Sequence, residues 1–89
     1  MAKKLVLVVE DSEETFLNIK EDILEYSRFS KQIKDIDWAQ SVQEAKEFIE
    51  NNDKDYHIFV IDRNIPDVKG GSPDSGYSTN LLKFLHLKQ

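Results

Sequence analysis

No cysteine occurs among the 89 residues, which excludes a disulfide framework, a thiolate metal site, an iron–sulfur cluster and a thiol nucleophile together. Proline appears twice and glycine three times, too seldom for a collagenous or low-complexity chain. Basic groups are in the minority: 12 Lys and Arg against 17 Asp and Glu leave a formal charge of -5. No surplus of cations is therefore available to displace counterions from nucleic acid or to bind anionic lipid. The longest apolar run, Leu5 to Val9, has five residues, against roughly 18 for a bilayer span, and it is too short for the core of a signal peptide. A single soluble, cytoplasmic domain covering residues 1–89 is the expectation. The two histidines, His57 and His86, are dispersed, and structural roles suit them better than a metal site.

What is present is an alternation of two kinds of segment. Lys3 to Val9 enters on two lysines and continues as an apolar, β-branched run from Leu5 without a period of two, as in a strand covered on both faces of a parallel sheet. It gives way to Glu10-Asp11-Ser12, where Asp11 or Ser12 can cap a helix whose first turn holds Glu13 and Glu14. Phe16, Ile19, Ile23 and Tyr26 then recur at helical spacing. After the polar stretch Ser27 to Gln32, the residues Ile33, Ile36 and Trp38 give a weaker strand signal. Ser41-Val42-Gln43-Glu44 has capping-box spacing ahead of Ala45, Phe48 and Ile49, and this second helix is expected to end near Asn51-Asn52. Tyr56 to Ile61 is a third, clear strand, closed by Asp62. Arg63 to Ser78 contains both prolines and all three glycines and is expected to be a long loop, followed by a short helix over Thr79 to Lys88.

Strand and helix in regular alternation imply an α/β fold with right-handed crossovers and a parallel sheet. Ligands bind such sheets at the carboxyl ends of the strands. Glu10 and Asp11 follow the first strand and Asp62 ends the third, so adjacency of these strands would gather three carboxylates at one edge. Carboxylates crowded in this way repel one another, and a hard, oxygen-preferring cation such as Mg²⁺ relieves the repulsion. Taken singly, Glu10-Asp11 also reads as a helix-capping acid cluster and Asp62 as a turn former. Their joint placement is what points to a site.

Through Val6-Leu7-Val8-Val9-Glu10-Asp11-Ser12 and Phe59-Val60-Ile61-Asp62-Arg63-Asn64-Ile65-Pro66-Asp67, with Trp38 to Ala45 between them, the chain resembles the receiver domain of two-component response regulators. That resemblance implies a flavodoxin-like sheet in which Asp62 is the phosphoacceptor and Asp11 ligates Mg²⁺. Glu10 would assist through a water, and Asn64 would offer its backbone carbonyl to the metal. It also implies a histidine kinase or phosphotransfer protein as partner, and a signalling role rather than that of an enzyme. A complete receiver has five strands, whereas these residues supply three βα units and lack the family's later Ser/Thr and Lys. Ser72, Ser75, Ser78 and Thr79 are the nearby hydroxyls that could replace the first.

The expected sheet order is 2-1-3, truncated to three strands, with helix 1 on one face and helices 2 and 3 on the other. An unpaired third strand would then favour self-association. The alternative function is a truncated or phosphorylation-independent interaction module. A small metal-dependent phosphoesterase using Glu10, Asp11 and Asp62 ranks below both, because no general acid is visible.

Overall fold

The computed structural model describes residues 4–26, 30–51 and 55–88. The expected strand start at Lys3, the stretch 27–29 and the expected helix end at Asn52 lie outside them. Three parallel strands, β1 (Lys4–Val9), β2 (Ile33–Ala39) and β3 (Tyr56–Ile61), form one sheet in the order β2-β1-β3. They alternate with helices α1 (Glu13–Tyr26), α2 (Val42–Glu50) and α3 (Ser75–Lys88), and a 3₁₀ turn at Ser30–Gln32 leads into β2. No helix among the described residues is long and apolar enough to cross a membrane.

The unbroken apolar run of β1 is explained by its central position. Val6, Leu7, Val8 and Val9 are each 1% exposed or less, because both faces of the strand are covered. Leu7 and Val9 pack with Val42 and Ala45 of α2 and Leu81 and Leu85 of α3. Val6 and Val8 pack on the opposite face with Phe16 of α1 and with Ile33 and Ile36. The expected distribution of helices, one against two, is therefore present.

Both edges of β1 carry an irregularity near its start. Lys4 pairs with Ile33 but Leu5 pairs with Asp35, leaving Lys34 as an extra residue. On the other side Leu5 pairs with Tyr56 and Val6 with Ile58, leaving His57 extra. Each bulge shifts the side-chain phase by one. Ile33 and Ile36, three apart, consequently share the α1 face, while Tyr56 and Phe59 share the other. This is why the pattern of β2 is weak when read for strict alternation. The Nδ1 of bulged His57 accepts the Leu5 N–H at 3.4 Å, a structural role as expected.

Helix ends follow their local chemistry. Ser12 caps α1, accepting the Thr15 N–H on its hydroxyl at 3.3 Å. Ser41 caps α2 through the Glu44 N–H at 3.2 Å. Two further N–H groups of α2, those of Val42 and Gln43, donate to the carbonyls of Pro66 and Asp67 at 3.0 and 2.9 Å, fastening the β3–α3 connection to the helix start. Ile65 and Pro66 are buried there, and Ile65 bridges back to Asp74. The expected loop through Ser78 is too long: α3 begins at Ser75. The Asp74 carboxylate accepts the Gly76 N–H at 2.7 Å, so the serines and glycine that suggested a loop form a capped first turn. Among the described residues Gly70 alone takes a positive φ, 82°, where a side chain would be strained.

The Tyr56 hydroxyl donates to Asp37, linking β3 to β2 across the central strand, and its ring contacts Phe48 and Phe59. Burial raises its pKa above the usual phenol value, reinforced by the hydrogen bond to Asp37. Tyr56→Phe should lower stability by about 1–2 kcal/mol, read as a reduced urea midpoint at unchanged m-value. Combined with Asp37→Ala, the two losses should sum to less than additivity.

Candidate metal centre

The C-terminal half of β1 is in regular register with both neighbours, Val6 to Val9 against Ile36 to Ala39 and against Ile58 to Ile61. Two bonds continue the ladder past the strand ends: Glu10 N–H to the Ala39 carbonyl and Asp62 N–H to the Val9 carbonyl, both at 3.0 Å. The backbone at residues 10 and 62 is thus fixed by the sheet itself. The sequence-predicted carboxylates converge at this edge: one oxygen from each of Glu10, Asp11 and Asp62 lies within 4.8 Å of the others.

The three differ in environment. Glu10 is only 4% exposed, and its Oε1 accepts the Ser12 N–H at 3.1 Å. Asp11 is exposed. Asp62 turns one oxygen back to the Arg63 N–H at 2.8 Å, which orients its carboxylate. Burial pushes the pKa of Glu10 up to about 7; the Ser12 N–H opposes the rise, and hydrogen bonds to Asp62 and Asp11 add to it. Three hard oxygen donors, one of them disfavoured as an anion chiefly by burial and further by its acidic neighbours, are a donor set that could hold a divalent cation. Asn64 lies two residues past Asp62 with its side chain exposed.

Reading the sequence for core and site separately misses Trp38. Its indole N–H donates to the Glu10 carbonyl at 2.6 Å, and its ring stacks on Phe16 with centroids 4.8 Å apart and planes 8° from parallel. The tryptophan at the end of β2 therefore positions the backbone of the acidic pair. The sequence marked Trp38 only as part of a strand, because its partner is 28 residues away.

Two of the four candidate hydroxyls, those of Ser78 and Thr79, are engaged with backbone carbonyls. Ser78 lies 2.8 Å from both the Arg63 and the Ser75 carbonyls, and Thr79 donates to the Ser75 carbonyl at 3.2 Å. Both line the groove between β3 and α3. A comparison with protein-family models, curated proteins and solved structures finds no match to this chain.

A carboxyl group whose pKa is raised on folding stabilises the fold below its unfolded value and loses that contribution as pH rises through its folded value. Without divalent cations, stability should therefore fall between pH 4.5 and about 7, by at most about 3 kcal/mol from this group. Glu10→Gln should flatten that portion of the pH–stability curve, and millimolar Mg²⁺ should flatten it in the wild type. Urea denaturation at stepped pH measures both.

Proposed function

We propose that the chain is a phosphoacceptor signalling domain of the response-regulator receiver type, with a flavodoxin-like sheet. In this reading Asp62 accepts a phosphoryl group from a histidine kinase or phosphotransfer protein. Glu10, Asp11 and Asp62, with the Asn64 backbone carbonyl, would hold Mg²⁺. The observation that carries the reading is the convergence of three carboxylates from adjacent parallel strands within 4.8 Å, at the strand ends where such sheets bind ligands.

The chemistry is an in-line displacement. An ionised Asp62 oxygen forms the new P–O bond while the P–N bond to the donor imidazole breaks, and the electron pair leaves on that nitrogen, which takes up a proton. The Arg63 N–H, 2.8 Å from one Asp62 oxygen, limits rotation of the nucleophile. Glu10 and Asp11 supply the remaining negative charge of the cradle, and the Trp38 hydrogen bond keeps their backbone in place. Bound Mg²⁺ would supply positive charge beside the phosphoryl oxygens. The product is an acyl phosphate on the protein, so the domain acts as a stoichiometric switch.

A phosphorylation-independent interaction module is the second reading, favoured by the engagement of the Ser78 and Thr79 hydroxyls with the backbone carbonyls of Ser75, in α3, and of Arg63, just past β3. Partner binding insensitive to both Asp62→Ala and chelation would select it.

Incubation with acetyl phosphate and Mg²⁺ should add one phosphoryl group, detected by intact-protein mass spectrometry and absent with Asp62→Ala or excess chelator. Glu10→Gln should weaken the Mg²⁺ requirement's midpoint by about 10- to 100-fold, as for groups that act on a metal through water. A folded wild-type chain that gains no phosphoryl group removes the phosphoacceptor reading.

A further inference from the structure

Among the described residues β3 pairs only with β1, and its burial is incomplete: Ile58, Phe59, Val60 and Ile61 are all half-buried, whereas every residue from Val6 to Val9 is buried. The Asp62 N–H points to β1. Since successive backbone groups of a strand point to opposite sides, the N–H and C=O groups of Phe59 and Ile61 face the open edge. Alongside, a groove of about 650 Å³ is lined by Phe59, Ile61, Arg63, Leu82, Leu85 and His86, among others. Leu82, on the rim contributed by α3, is 55% exposed.

We propose that this edge is the interface of a two-fold dimer in which β3 of one copy pairs antiparallel with β3 of a second, giving a continuous six-stranded sheet. A two-fold axis perpendicular to the sheet reverses strand direction and keeps each face on its own side. Phe59, Ile61 and Leu82 of one copy therefore meet the same residues of the other, while Ile58 and Val60 meet their counterparts on the α1 side. The two α3 helices lie side by side over the new junction, each filling the other's groove with Leu82. Interfaces of this kind are self-complementary and closed.

Charge selects a second copy over an unrelated strand. Antiparallel pairing brings Arg63, just past the C-terminal end of β3, to the end of the other strand at which Asp55 stands, and both are exposed. The dimer contains this cation–carboxylate juxtaposition twice.

Sedimentation velocity across the micromolar range tests the proposal on the full chain, with circular dichroism to verify folding. The expected result is a concentration-dependent dimer whose dissociation constant rises about tenfold or more with Leu82→Glu. Asp55→Arg and Arg63→Asp should each weaken the dimer, and the double exchange should restore it to near the wild-type constant. Amide exchange by NMR should show the Phe59 and Ile61 N–H groups becoming protected as concentration rises. A folded wild-type chain that stays monomeric throughout overturns the proposal. So does a dimer indifferent to Leu82→Glu, an exchange pair without rescue, or growth into open assemblies larger than two.

Discussion

The central strand must be paired on both edges and covered on both faces, and this requirement organises the rest of the molecule. Val6 to Val9 are buried almost completely, so every helix finds its place by covering one side of β1. The irregularities that fit the flanking strands, Lys34 and His57, both fall opposite the first residues of β1. The opposite end is left in unbroken register, and that end carries Glu10, Asp11 and Asp62. A bulge near residue 9 would have turned one carboxylate away from the others.

The acidic edge illustrates a conflict between stability and use. Glu10 sits under protein, and its pKa of about 7 shows that the fold holds it with difficulty as an anion. Capping alone would have been met by Ser12, whose hydroxyl already serves α1. A third carboxylate from β3 adds repulsion that no helix end requires. Departures from local rules gather at functional sites, and a cation, were it bound as proposed, would offset this repulsion. Around this point the scaffold is stiff: Trp38 bonds the Glu10 carbonyl, and the N-terminus of α2 binds the carbonyls of Pro66 and Asp67.

The two edge strands are unequally finished. β2 leaves Lys34 and Asp35 in solvent, bonds Asp37 to Tyr56, and buries its apolar residues Ile33 and Ile36. β3 is apolar on both faces yet only half covered, and α3 stands beside it with Leu82 exposed and Leu81 and Leu85 buried. Lys46 of α2 extends over the Phe84 ring of α3, 5.1 Å from its centre, which fixes the helix from the side away from the groove. In composition β3 resembles the central strand β1, although among the described residues it is paired on one edge only.

The order of elements, the burial of β1 on both faces and the carboxylates at the strand ends were legible from the chain, because each rests on short-range rules: unbroken apolar runs, capping residues and the position of an acid immediately after a strand. Where a rule depended on strict spacing it misled. The bulge at Lys34 disguised β2, and the capped turn at Asp74 made the start of α3 resemble a loop. The burial of Ile65 and Pro66 and the bond from Trp38 to Glu10 were decided by the tertiary structure alone, whereas the approach of Asp62 to the acidic pair followed from the expected 2-1-3 order. Sequence determines which residues must leave water and where a helix can begin; only the packed sheet determines which side chains meet across the strand ends and at what distance, because that depends on pairing register summed over the whole fold.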